Sequence, residues 1–82
     1  MQENFHRYDA LVFIMAAGIA VRSIAPYLVS KLEDPAVVVL DEQGRHVISL
    51  LSGHVGGANR LTRALAAALG AEPVITTATD VE

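Results

Sequence analysis

Short continuous apolar runs alternate with polar breaks along this chain, and the breaks fall where strands and helices should end. Leu11 to Met15 is apolar at every position. That is the pattern of a strand buried on both faces of a sheet, so this strand is expected at the sheet centre. Val21, Ile24, Ala25 and Leu28 then recur at helical spacing, which predicts a helix from about Gly18 to Lys31 packed on the sheet. Pro26 interrupts that pattern. Proline lacks an N–H, so either Ser23 caps a short helix or a longer one bends there. Asp34-Pro35 ends the helix, because the residue before a proline is pushed out of the α region. Ala36 to Leu40 follows as a second apolar strand. Asp41 to Arg45 is a polar, glycine-containing break, and His46 to Leu51 returns as a third strand, antiparallel to the second.

The third strand breaks into Ser52-Gly53-His54-Val55-Gly56-Gly57-Ala58-Asn59, and a helix follows. Its apolar stripe is read as Leu61, Leu65, Ala68 and Leu69, with Arg60 and Arg63 facing out, and Gly70 with Pro73 beyond it gives the stop. Val74 to Thr79 is β-branched apart from Ala78 and predicts a fourth strand. The order strand, helix, strand, strand, helix, strand implies an α/β fold, a layered mixed sheet of about four strands with helices on its faces. Two topologies stay open. If the first helix is a single crossover, Thr76, Thr77 and Asp80 lie near His54, with Lys31 and Asp34 on the same side. A reversal at Pro26 brings Gly18 and Arg22 to that edge instead.

The glycine-rich turn is where chemistry is expected. Glycines permit positive φ and close backbone approach, and the helix after the turn brings N–H groups and a positive dipole end to the same place. A bound anion is the expectation. His54 adds a group that titrates near neutral pH, and Ser52 and Asn59 add neutral hydrogen-bonding groups.

Composition narrows the classes. The 82 residues read as a polar lead-in over 1–9 and a single α/β domain over 10–82. A hydrophobic share of 52% against 18% charged is a globular balance. There is no cysteine, which excludes a disulfide framework or thiolate metal site and makes the cytoplasm the default location. A net charge of -3 with scattered Lys and Arg lacks the footprint of a nucleic-acid binder. Ala10 to Val21 is too short for a bilayer span, and the acidic residues ahead of it do not suit a signal peptide. No nucleic acid and no membrane are therefore expected as partners, while a homodimer stays open.

Four segments in this order resemble one family: Ala16-Ala17-Gly18-Ile19-Ala20-Val21-Arg22, Asp34-Pro35-Ala36-Val37-Val38, Leu50 through Asn59, and Val74-Ile75-Thr76-Thr77-Ala78-Thr79-Asp80. The chain is similar to the CbiG family of cobalamin-biosynthesis proteins, cobalt-precorrin-5A hydrolases, from about Phe5 to Asp80. Members are longer, so the resemblance implies a fragment of a larger protein whose remaining domains are its partners. It also implies hydrolysis of a lactone on a cobalt-containing tetrapyrrole with release of acetaldehyde. The cobalt belongs to the substrate, so no protein metal and no cofactor are expected. The substrate's many carboxylates suit a helix N-terminus opened by glycines.

Under that reading His54 is the candidate general base for water, and Asp80, at a strand end beside it, is a second catalytic candidate. Backbone N–H groups of Gly56 and Gly57 would stabilise an oxyanion or hold a carboxylate, two roles with the same geometry. Ser52, Gly53, Asn59, Arg22, Lys31 and Thr77 complete the substrate-binding set. Ser52 lacks the surroundings of a nucleophile elbow, and Asn59 is expected to cap or brace the helix start. His46 and His6 read as solvated. A non-catalytic module that binds the corrinoid periphery, or another anion, is the alternative. A nucleotide-binding domain is disfavoured by the glycine order, and a purely structural domain is the remaining possibility.

Overall fold

The computed structural model describes residues 5–30, 33–53 and 57–76. Its elements are β1 (Ala10–Ile14), α1 (Ala17–Ile24), a 3-10 turn (Ala25–Tyr27), β2 (Ala36–Leu40), β3 (His46–Leu51), α2 (Ala58–Leu69) and β4 (Glu72–Val74). The strands lie in the order β1-β2-β3-β4, with β1 parallel to β2, β2 antiparallel to β3, and β3 parallel to β4. Two β-α-β units are thus joined by the hairpin between β2 and β3. Both crossovers step the same way across the sheet while their strands run in opposite directions. Crossovers of one hand must then place their helices on opposite faces. That is the arrangement seen: Ile24 of α1 packs with Val37, whereas Ala58 and Ala66 of α2 pack with Val38 and Leu40.

The hairpin forms where expected. The Asp41 carbonyl accepts from Gly44 N–H at 3.0 Å, Gly44 takes φ +70°, and the Asp41 carboxylate accepts from the N–H groups of Arg45 and His46. Between Val37 and Val38 the register slips, so Val37 faces Leu51 while Val38 faces Ser49. Leu50 is the extra residue of that bulge, and both Leu50 and Leu51 reach the α1-side core beside Phe5. Phe5, from the polar lead-in, is itself fully buried.

Four expectations need correction. β1 is an edge strand with alternating exposure, not the central one; the centre is taken by β2, buried at all five positions. The first helix stops at Ile24 instead of continuing to Lys31, since Pro26 cannot supply the next N–H and the chain tightens into a 3-10 turn closed by Leu28 N–H to the Ala25 carbonyl. Ser23 does not cap it and donates back to the Ile19 carbonyl. In α2 Leu61 and Leu65 pack against the core as predicted, but the buried positions are Ala58, Asn59, Thr62 and Ala66, while Ala68 is exposed and Leu69 is 52% exposed. Small residues there let the helix sit close to the sheet. β4 begins earlier than Val74, because pairing with His46 to Ile48 of β3 engages Glu72, Pro73 and Val74 as soon as the chain leaves Gly70; Thr77, Ala78 and Thr79 lie outside the described residues.

Candidate functional site

The parallel pairing of β1 with β2 makes α1 a single crossover and decides between the two topologies. Gly18, at the start of α1, sits at the edge where β1 and β2 end. Ser52 and Gly57 sit at the opposite edge with the start of β2, where Ser52 Oγ donates to the Asp34 carbonyl at 3.2 Å. Arg22 is exposed in the last turn of α1, on the face away from α2. Of the other predicted site residues, His54, Gly56, Lys31, Thr77 and Asp80 lie outside the described residues.

The ends of the glycine-rich turn are pinned by backbone bonds. Ala58 N–H donates to the Ser52 carbonyl at 3.1 Å and Asn59 N–H to the Gly53 carbonyl at 3.0 Å, so the chain leaves at Gly53 and re-enters beside it at Gly57. Gly57 caps α2 with φ +86° and ψ +13°, a left-handed conformation that glycine adopts without strain. Ser52 takes φ +60° despite its side chain. Its hydroxyl and carbonyl bonds hold it there, the kind of local cost that concentrates at functional positions. These bonds also revise the picture of an open helix end. Ala58 and Asn59 spend their N–H groups on the turn itself, so a ligand at this edge must be met by other donors.

Asn59 braces the helix, as expected. It is 5% exposed, and its Oδ1 accepts from Ser49 Oγ at 2.6 Å, tying the first turn of α2 to β3. One turn on, Thr62 is fully buried, and its Oγ1 has no hydrogen-bond partner among the described residues. Ser49, Asn59 and Thr62 form a polar seam between α2 and β3 that the sequence reading passed over. The helical phase of Asn59, Thr62 and Ala66 was the signal that could have found it.

Beneath the turn lies a second feature missed from sequence. The Asp34 carboxylate accepts His6 Nε2 at 2.9 Å and the Val29 N–H at 2.9 and 3.1 Å. Burial opposes ionisation of Asp34, but the hydrogen bonds from His6, Val29 and Ser30 outweigh it and hold the carboxyl below its usual range. His6, read as solvated, therefore ties the lead-in to the loop before β2. His46 is paired likewise, with its Nδ1 at 3.2 Å from Asp41 Oδ2.

At the opposite edge, Met15, Ala16, Ile19, Asp41, Glu42 and Gln43 line a shallow hollow of about 330 Å³. It lies beyond the ends of two parallel strands, a common ligand position in α/β sheets. Two acidic side chains make it a poor receptor for a carboxylate-rich molecule. Among the described residues no group of three His, Asp or Glu is arranged to hold a metal ion, and no helix is long and apolar enough to cross a membrane.

Known proteins resemble this chain in sequence and in fold. The cobalt-precorrin-5A hydrolase of Salmonella typhimurium is 68% identical over 80 residues, covering 98% of this chain and 23% of that protein. The cobalt-precorrin-5A hydrolase of Priestia megaterium is 60% identical over 78 residues, 95% of this chain and 21% of that protein. A crystal structure of a cobalamin biosynthesis protein G homologue from Sulfolobus solfataricus superposes over 98% of this chain and 26% of its own, with a TM-score of 0.83 at 40% identity. The chain thus spans less than a quarter of the length of these two curated relatives. Residues 1–80 match the family described as Cobalamin synthesis G N-terminal, and with nearly the whole sequence and the fold in agreement, the chain belongs to the CbiG N-terminal family.

Proposed function

We propose that this chain is the N-terminal domain of a cobalt-precorrin-5A hydrolase, which opens a tetrapyrrole lactone with release of acetaldehyde in anaerobic cobalamin biosynthesis. The observation that carries this reading is 68% identity, over 98% of the chain, to a protein of that activity. In the reaction water adds to the lactone carbonyl and the ring C–O bond breaks to leave a carboxylate and a hydroxyl on the two-carbon unit. Loss of the hydroxyl proton then breaks the carbon–carbon bond to the macrocycle, so that acetaldehyde leaves and the macrocycle carbon keeps the electron pair and takes up a proton. The difficult part is deprotonating the water while charge builds on the carbonyl oxygen. His54, in the glycine-rich loop between Gly53 and Gly57, is the proposed base, with Asp80 as its catalytic companion. Because Ala58 and Asn59 donate within the turn, the amides of Gly56 and Gly57 take the oxyanion or a peripheral carboxylate. Lys31, Arg22 and Thr77 are proposed to meet further carboxylates. Cobalt enters as part of the substrate, no other cofactor is required, and the protein works in the cytoplasm together with the remaining domains of its longer polypeptide.

Full-length protein carrying His54→Ala tests the reading. Acetaldehyde release from cobalt-precorrin-5A should fall by about 100-fold or more if His54 is the general base. Unchanged turnover would remove His54 from the mechanism. Absence of any turnover by the unmutated full-length protein would remove the activity itself.

A further inference from the structure

Two edges bound the sheet, and they are built differently. β4 is three residues long and carries Glu72 and Pro73, the short, charged, proline-bearing kind of edge that resists further pairing. β1 is five residues long, Ala-Leu-Val-Phe-Ile, with neither a charge nor a proline. The Ala36 N–H donates to the Asp9 carbonyl and the Met15 N–H to the Leu40 carbonyl. The parallel ladder between them therefore turns the N–H and C=O groups of Ala10, Val12 and Ile14 outward, away from β2.

The side chains of the same residues are uncovered. Val12 pairs with Val38 and Ile14 with Leu40, so all four lie on the α2 face of the sheet. Val38 and Leu40 are buried under the helix, while Val12 is 46% and Ile14 65% exposed. One exposed valine means little in isolation. An open hydrogen-bonding edge and an uncovered apolar row on one strand, written in the sequence of a strand buried on both faces, together suit a place where a sheet is extended. The two curated relatives carry more than three quarters of their length outside the region matched here.

We propose that β1 is an internal strand of a larger sheet: another segment of the longer polypeptide pairs along Ala10–Ile14 and brings an apolar element over Val12 and Ile14. The glycine-rich turn would then sit nearer one side of that sheet than its centre, with β1 facing the rest of the protein. This inference uses no property of the reaction, so it stands or falls separately from the activity.

Amide hydrogen exchange in the full-length protein is the test and needs no substitution. The amides of Val12 and Ile14 should exchange at least about 100-fold more slowly there than in the 82-residue chain, where they face water. Thiol labelling gives a side-chain readout: Val12→Cys and Ile14→Cys should react readily in the short chain and be shielded in the long one, with exposed Arg63→Cys labelled equally in both. Equal exchange of Val12 and Ile14 in the two proteins would overturn the proposal. Protection that develops in the short chain as its concentration rises, and is no greater in the long one, would assign the edge to a second copy and also overturn it.

Discussion

Ser49 Oγ and Asn59 Oδ1 meet at 2.6 Å across the seam between β3 and α2. This bond joins the strand that enters the glycine-rich turn to the helix that leaves it, so the turn is held at both ends by groups outside it. Ser49→Ala leaves a buried amide oxygen without that donor, a loss of about 1–3 kcal/mol. For a chain of this size each kcal/mol is about 4–8 °C in Tm. Thermal unfolding followed by circular dichroism checks it, and a shift below about 2 °C would show that the bond contributes little.

Thr62 predicts the opposite sign. Its hydroxyl is buried with no partner among the described residues, and valine has nearly the same shape without the desolvated group. Thr62→Val should raise stability by about 1 kcal/mol, read as a higher urea midpoint at unchanged slope. A lower midpoint would mean that the hydroxyl is bonded in solution.

Gly57 isolates a backbone effect. At φ +86°, a Cβ built there meets nothing within 4 Å among the described residues, so the cost of a side chain is expected from backbone conformation. Gly57→Ala should lose about 1–2 kcal/mol. Gly57→Asn should lose less, since asparagine visits the left-handed region more readily. Denaturant midpoints in the order Gly, Asn, Ala are expected; equal Asn and Ala values would point to a clash and not to φ.

Acid sensitivity follows from Asp34. Its hydrogen bonds lower the folded-state value below the ordinary 3.8, so the folded protein holds this proton less tightly than the unfolded chain does. The associated stability is complete above about pH 4 and is lost as pH falls through the folded-state value. Asp41 is shifted in the same direction, with burial again opposed by hydrogen bonds from His46 and Arg45. Urea midpoints measured from pH 6 down to pH 2 should fall at the acid end, and Asp34→Asn should flatten that fall without abolishing it, leaving the part due to Asp41. An unchanged acid slope in the variant would remove Asp34 from the account.

Much of this architecture is legible in the residues because its boundaries are chemical. Asp34-Pro35, the turn through Gly44, and Gly70 with Pro73 mark the ends of β2, the hairpin and α2, and β3 has the predicted limits His46 to Leu51. What escaped was set by partners. The unbroken apolar run of β1 predicts burial on both faces, yet among the described residues β1 is an edge strand whose Val12 and Ile14 α2 leaves exposed, which only coordinates reveal. The glycine-rich turn stands out in sequence, but the capture of the Ala58 and Asn59 amides by Ser52 and Gly53 is a matter of geometry. The pairing of His6 with Asp34 spans 28 residues and leaves no local trace.

The 82-residue chain by itself is expected to fold and to show little or no hydrolase activity. Its candidate site lies at one sheet edge, while the relatives of that activity are more than four times its matched length. Stabilising an oxyanion requires donors held rigidly in a site from which water is excluded. Loss of one such donor costs about 100-fold to 1000-fold in rate, so a site missing a whole wall should be nearly inert even where a carboxylate still binds weakly at the turn. The comparison is acetaldehyde release by this chain and by the full-length protein at equal concentration, with Gly57 amide shifts reporting any residual binding. Comparable rates would show that these residues already contain the complete catalytic apparatus. Shifts at Gly57 without turnover would locate substrate contact in this domain and the missing catalytic groups in the rest of the polypeptide.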